Sequence, residues 1–377
     1  MKLLIITGEI KNSSPVLPFI KALDRNKSIN LTVFAISPSI KVDVKNSKVL
    51  FFNPKIKLDQ RITKLVLILM GRFIVYPGFR SFCINNAKRK NFEAVLAFTA
   101  SSSQFSISIA NHIAGKNKKT NFLIHTVDPL PSIKAWGEKN IYRKANINFF
   151  KENTKTLDFL SANNDKMLKY QKQFLRKEVQ TDVLYTINSV QFKTLEREKT
   201  GKKVFLYLGS FYGKRKPNII IDAFNAVLMT NPNCELWFAG NHTYESLNIT
   251  KKDKNIKLLG FVNNIDAVIA KVDILIDIDA DIKNDVFVSG KIVKYLSYNR
   301  IIMSITPFNS PTSLWLDNTK NSVVISDHLL SNVKQAMLNA ITLSEALDND
   351  QIYYDRAKLL KKFNADNVLK TFYKALD

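Results

Sequence analysis

Short apolar runs alternate with helix-length stretches along this chain, and one polar break divides the alternation into two similar halves. Before the break, residues 2–7, 31–36, 49–52, 94–98 and 121–125 read as strands, with helices expected over 18–23, 60–90 and 103–114. Residues 153–161 run toward a further strand, and 165–177 read as a basic surface helix. Strands that alternate with helices in this way form a parallel sheet covered on both faces. The stretch 196–203, EREKTGKK, is polar, lacks an apolar period and contains Gly201, so it reads as a linker. The alternation then restarts. Strands are expected at 204–208, 234–239, 256–259, 274–277, 301–305 and 322–325, and helices at 217–230, 265–271, 291–296 and 311–317. The expected fold class is therefore α/β, with two Rossmann-like domains, 1–195 and 204–350, facing across a cleft. Residues 351–377 are expected to form a C-terminal helix that packs back toward the first domain.

With 377 residues, 46% hydrophobic and 23% charged, the chain has the balance of a folded protein and the length of two ordinary domains. Its two cysteines, Cys83 and Cys234, lie far apart and outside any Cys/His cluster, so neither a disulfide framework nor a metal site is expected. The opening MKLLIITGEI carries too short an apolar run for an export signal and reads as a buried strand, which points to a cytoplasmic protein.

The formal net charge is +24, and residues 1–198 hold 33 Lys and Arg against 14 Asp and Glu. A coding bias toward Lys, Asn and Ile raises charge without purpose, but it does not concentrate the lysines in one half. So one-sided a field favours a polyanionic partner: an anionic membrane surface, a nucleic acid or an acidic acceptor. Residues 61–82, RITKLVLILMGRFIVYPGFRSF, join an apolar run to Arg61, Lys64, Arg72 and Arg80. The run is too short to span a bilayer. It reads either as a core helix or as a segment lying in the interface of an anionic inner-membrane surface.

The segment 204–224, VFLYLGSFYGKRKPNIIIDAF, places a strand end at Gly209 and Ser210, a loop with Lys214, Arg215 and Lys216, and then a helix. Glycine lets backbone amides approach a ligand, a helix start is electropositive, and arginine grips phosphate oxygens in pairs. The pattern fits a phosphate site, or an ordinary strand–turn–helix with a solvated basic turn.

From here the sequence resembles the family 4 type of retaining glycosyltransferase and its relatives of the GT-B fold. LWFAGN (236–241), LLGFVNNIDAVIAKVDILIDID (258–279) and FVSGKIVKYLSYNRIIMSITP (287–307) follow in that family's order, over roughly residues 200–330. The resemblance implies a nucleoside-diphosphate sugar as donor substrate and no cofactor or metal. Lys291 falls where those proteins neutralise the donor diphosphate, with Ser289 and Gly290 at the preceding turn; Ser210, Arg215 and Lys216 complete the implied diphosphate set. Val262 falls where backbone meets the nucleotide base. Lys294 stands where the family has a ribose-binding glutamate, and Val286, beside Asp285, takes the place of the second acid of that pair. Either the ribose is held by another group, or the donor geometry differs, or activity is lost.

On the acceptor side, FLIHTVDPLP (122–131) ends a strand at His125 and carries Asp128 before Pro129. It is similar to inverting GT-B transferases in which the aspartate is the general base, so Asp128 and then His125 are the catalytic candidates. Asp128 also suits a plain Asp-Pro turn. Gly8 and Glu9 end the first strand and form the expected acceptor-side loop. The function this implies is transfer of a hexosyl or related sugar to a hydroxyl of a saccharide, carried on a lipid, in cell-surface polysaccharide synthesis. The alternatives are an inactive scaffold partner and a nucleic-acid-binding protein. Nucleic acid is not the expected partner, because no recognition motif or aromatic interleaving accompanies the basic runs.

Overall fold

The structure, a computed structural model, describes the chain except for residues 12–14, 38–41, 101, 189–190, 199–200, 212, 251–252, 320 and 377. It divides into two compact units, Met1–Ser189 joined by Phe363–Asp377, and Val190–Lys362.

The first unit runs β1 (Lys2–Glu9), α1 (Val16–Asp24), β2 (Asn30–Ile36), β3 (Lys48–Phe52), α2 (Gln60–Met70), α3 (Phe79–Ala87), β4 (Ala94–Thr99), α4 (Phe105–Ala114), β5 (Asn121–Thr126), α5 (Asn140–Asn153), β6 (Phe159–Ala162), α6 (Asp165–Lys172) and β7 (Gln180–Val183). Its seven strands are all parallel, in the order β3-β2-β1-β4-β5-β6-β7. Strand alternation sorts the core into two faces. Leu3 and Ile5 join Leu31, Val33 and Leu96 on one face, while Leu4 and Ile6 join Phe34, Val95 and Ile124 on the other. Each such side chain contributes about 1.5–3 kcal/mol by leaving water.

The single helix expected over 60–90 is two helices. Gly71 ends α2 in the left-handed region (φ 64°), its N–H bonded to the Leu67 carbonyl, and Gly78 (φ 89°) precedes α3. The helix α5 escaped the sequence reading because only Asn146, Phe149 and Phe150 of its 14 residues are buried, too few for an apolar stripe.

The second unit runs β8 (Lys203–Leu208), α7 (Asn218–Leu228), β9 (Cys234–Ala239), α8 (Tyr244–Leu247), β10 (Ile256–Gly260), α9 (Ile265–Ile269), β11 (Ile274–Ile278), α10 (Gly290–Tyr295), β12 (Ile301–Ile305), α11 (Pro311–Leu316), β13 (Val323–Ser326), α12 (Leu330–Ala346) and α13 (Asn349–Lys362). Its six parallel strands take the order β10-β9-β8-β11-β12-β13. In each sheet the order reverses beside the first strand, between β1 and β4 and between β8 and β11. Ligands of such sheets bind at that switch point, beyond the strands' carboxyl ends.

Residues 196–203 are not a free linker. The Glu198 N–H bonds to the Ala270 carbonyl at 3.0 Å, and Arg197 pairs with the buried Asp273 at 2.7 Å. Upstream, the Leu195 N–H bonds to Asn299 at 3.0 Å, so the chain joins the second unit before the stretch expected to divide them. Residues 199–200 lie outside the described residues. The C-terminal boundary also falls later than residue 351. The helix α13 belongs to the second unit, where the fully buried Arg356 donates to the carbonyls of Tyr298, Arg300 and Ser322 at 2.7, 2.6 and 2.9 Å. Only the last helix, α14 (Ala365–Tyr373), packs on the first unit, with Phe372 edge-on to Phe19 of α1 at 5.2 Å.

Candidate functional site

Around the switch point of the second sheet the chain collects four buried or half-buried charges. Lys291, on the first turn of α10, donates to the Tyr207 hydroxyl at 2.8 Å, and that hydroxyl donates in turn to the Ser210 carbonyl at 3.3 Å. Arg215 pairs with Asp279 at 3.2 Å and lies over the Phe287 ring, 4.9 Å from its centre. Two residues before Asp279, Asp277 accepts from the Ser289 hydroxyl at 2.8 Å, while its second carboxylate oxygen has no hydrogen-bond partner among the described residues.

Electrostatics tie these groups together. Burial pulls the Lys291 ammonium down to about 8; Arg215 adds to that effect, and Asp277 and Asp279 oppose it. Burial, and then the Asp277 carboxylate, push Asp279 up to about 6 against the pull of Arg215, Thr312 and Thr306. Thr306 donates to Asp279 at 2.9 Å and shares a 2.6 Å hydrogen bond with Ser310.

The backbone at the strand ends is packed closely enough to require glycine. Gly240 follows β9 at φ 141°, its N–H bonded to the Gly260 carbonyl at 2.8 Å, and a side chain there would put Cβ 2.5 Å from the Gly209 carbonyl oxygen. His242 bonds that same carbonyl at 2.5 Å and borders an aromatic group of Tyr207, Phe211 and Phe238. Gly240→Ala should cost roughly 3 kcal/mol through strain and overlap. A thermal scan should show the unit's melting point lower by roughly 6–12 °C, and an unchanged scan would remove the close approach as a constraint.

Arg215 and Lys291 are thus brought into one charge cluster. Ser289 and Gly290 stand at its edge, Ser289 buried and Gly290 open. Ser210 and Lys216 are exposed on the β8–α7 loop. Arg215 departs from its expected placement: the residue is 3% exposed and its guanidinium is engaged by Asp279 rather than by solvent. Lys294 is not brought to the cluster. Its charged neighbours are Asp266 and Lys193, because one helical turn carries it toward α9 while Tyr295 faces β8 and accepts the Leu208 N–H at 3.1 Å. Val262 is half-buried at the end of β10, next to the exposed Phe261. Val286 is buried, its N–H bonded to the Asp285 side chain at 2.8 Å. The sequence reading missed Asp277, Asp279 and Tyr207. The available signal was LIDIDAD, three acids at alternate positions across the end of an apolar strand, of which Asp277 and Asp279 are buried and must find partners.

In the first unit, Gly8 and Glu9 end β1 beside the start of α4, where a cavity of about 190 Å³ is lined by Thr7, Gly8, Glu9, Ser103 and Val127. A Cβ on Gly8 would lie 2.8 Å from that of Ser103, so glycine keeps the strand end against the helix. Glu9 pairs with Lys11 at 3.2 Å. Asp128 is half-buried just beyond β5, next to Val127 of the cavity wall. His125 takes a different place. It is 3% exposed, stacked on Phe19, edge-on to Phe98 and 3.0 Å from the Ser161 hydroxyl, and burial pulls its imidazole down to about 3. It is a neutral core residue, which removes it from the catalytic candidates. Among the described residues no group of three His, Cys, Asp or Glu is placed to hold a metal ion.

No protein-family model matches this sequence, and no curated protein matches it. Solved structures do match. HepE of Anabaena, in complex with UDP-glucose, superposes with a TM-score of 0.69 at 12% identity, over 100% of this chain and 99% of that one. Sucrose-phosphate synthase of Thermosynechococcus elongatus gives 0.68 at 9% identity, over 100% and 99%. WaaG, a glycosyltransferase involved in lipopolysaccharide biosynthesis, gives 0.64 at 11% identity, over 98% of each chain. At these identities the likeness is one of fold. The chain has the GT-B fold, with two Rossmann-like α/β domains.

Proposed function

We propose that this chain is a glycosyltransferase that takes a sugar from a nucleoside-diphosphate donor held by the second unit. The acceptor is a hydroxyl of a saccharide carried on a lipid, met at an anionic membrane surface from the cytoplasmic side. The observation that carries the reading is Lys291, a cation held at the sheet's switch point with its charge partly suppressed by burial. The fold shared with HepE, which was solved with UDP-glucose, supports the donor class.

In the proposed reaction the acceptor oxygen bonds to the sugar's anomeric carbon as the bond to the diphosphate breaks, and its proton passes to Asp128 in an inverting transfer or to the departing diphosphate oxygen in a retaining one. The electron pair leaves with the diphosphate oxygen. Lys291, with the Arg215 charge near it and Ser289 and Gly290 at the turn, stabilises that oxygen. Ser210 and Lys216 cover the phosphates from the β8–α7 loop, and Val262 borders the base.

A bound diphosphate favours the charged lysine. Below pH 8 Lys291 already carries its proton; above pH 8 the proton must be taken up on binding. The dissociation constant for UDP or GDP is therefore expected to rise about tenfold per pH unit above pH 8, until the bound-state pKa is reached. Calorimetric titration between pH 7 and 10 measures this, and tight binding with no pH dependence would count against Lys291 as the contact. One observation favours the inactive-scaffold reading: Asp277 and Asp279 offset both cations in the same cluster. Absence of any nucleotide binding at pH 7 would decide for it.

A further inference from the structure

We propose that the first unit contains a binding site for an anionic lipid, its hydrocarbon chain in a cavity beneath the end of α2 and its phosphate on Arg72 and Arg80. The choice of occupant deepens the lipid-linked acceptor reading, but the site stands on observations apart from the nucleotide cluster.

The first observation is the helix α2 itself. Asp59 caps its start by accepting the Arg61 N–H at 2.7 Å, and Gly71 closes its end, so both termini are satisfied. Yet it buries only Thr63 and Leu67. Ile62, Leu65, Leu69 and Met70 face out, Leu69 being 72% exposed, and Ile141 of the neighbouring α5 is 62% exposed. An apolar helix face left in water beside Arg61 and Lys64 has the pattern of a helix that lies in a lipid interface. No helix among the described residues is long and apolar enough to cross a membrane.

The second observation is a cavity of about 490 Å³ that begins where α2 ends. Its walls include Phe73, Tyr76, Phe79, Phe105, Ile109 and Phe149. That volume lies in the range of small-molecule sites. Arg72 and Arg80 are both part of its lining. Arg80 donates to the Ser108 carbonyl at 3.4 Å, and its guanidinium is disfavoured by burial and then by the Arg72 charge. Among the described residues neither arginine is paired with a carboxylate. Two like charges held together at the edge of an apolar cavity match a phosphate joined to a hydrocarbon chain.

The first turns of α4 separate the two cavities of this unit: Ser103, just before the helix, lines the cavity beside Gly8, and Phe105, Ser108 and Ile109 line the one beside Arg80. The two cavities thus meet only across the start of α4, and Arg80 lies farther along that helix, between the Ser108 carbonyl and His112.

The test uses the full chain and dodecyl phosphate carrying a diazirine on its tail, with inorganic phosphate and dodecyl maltoside as comparisons. Dodecyl phosphate should bind at least about tenfold more tightly than either comparison, and should label Phe73, Phe79, Ile109 or Phe149. R72A/R80A should weaken it about tenfold or more, and the cavity-filling Ser108→Trp should abolish the label, both with unchanged circular dichroism and melting. L65D/L69D should remove binding to phosphatidylglycerol-containing vesicles while leaving the soluble probe's affinity intact. Label outside the cavity, equal binding of inorganic phosphate, or a dimer dispersed by L65D/L69D without lipid binding would each overturn the proposal. Failure of UDP or GDP binding would leave these results standing, so the two readings fail separately.

Discussion

Lys291→Ala is expected to lower kcat/KM for the nucleotide sugar by about 10²–10³-fold, the usual effect of removing one preorganised group from a developing negative charge. The fold should survive the change. Among the described residues the hydrogen-bond partner of Lys291 is Tyr207, whose hydroxyl keeps the Ser210 carbonyl as partner. Two electrostatic effects oppose each other in the variant. Loss of a cation that burial disfavours relieves the fold at neutral pH, where that cation is charged, and the relief vanishes as pH rises from about 8 toward the lysine's ordinary value. Loss of the same cation also removes the attraction that Asp277 and Asp279 exert on Lys291, which destabilises the cluster. The melting temperature should therefore change little while turnover collapses. Lys291→Arg should not restore full activity. The Lys291 side chain already passes 3.6 Å from where a Cβ on Gly209 would stand, and the wider guanidinium has to enter that space. Steady-state kinetics with a scan of melting in parallel separates the outcomes. Near-normal turnover in the alanine variant would sink the assignment of this cluster to the departing diphosphate.

The same cluster shows what a sequence can and cannot disclose. Strands β9 and β12 coincide with their expected bounds, because a buried parallel strand is written as a mostly apolar run between turn residues, interrupted here by Glu235 and Ser304 alone. The helix α5 left no such trace, since its burial rests on three positions. Lys291 and Arg215 were legible as cations near glycine turns. Their relation to Asp277 and Asp279 was not, because it depends on β11 lying beside β8 across a crossover, a pairing no local pattern encodes. His125 and Lys294 show the converse. Each was itself a candidate, and in each case strand or helix geometry turns the side chain elsewhere: His125 inward between Phe19 and Phe98, Lys294 toward Asp266. The linker was misread for a related reason. A polar, charged stretch looks solvent-bound, whereas Arg197 reaches the buried Asp273 and holds the segment to the second unit.

Asp128→Asn is expected to lower kcat by about 10²–10⁴-fold if transfer inverts the sugar's configuration, because the acceptor hydroxyl then loses the base that takes its proton. The neighbouring imidazole offers no substitute, since His125 is buried against Ser161 and held neutral down to about 3. The backbone at this point is fixed independently of the carboxylate: the Thr126 hydroxyl donates to the Asp128 carbonyl, and the Val127 N–H bonds to the Thr99 carbonyl at 3.0 Å. Asparagine preserves the size of the side chain and removes its proton affinity, so the loss should fall on kcat, with the dissociation constant for UDP or GDP unchanged in the separate second unit. The acidic limb of the pH–rate profile should disappear with it, a change that a purely structural turn before Pro129 would not produce. A retaining transfer needs no base in this role, and then the variant keeps nearly full activity and its pH profile. Rate and profile together distinguish the stereochemical course from a folding defect, because only loss of the base removes the limb while leaving nucleotide affinity and melting temperature where they were.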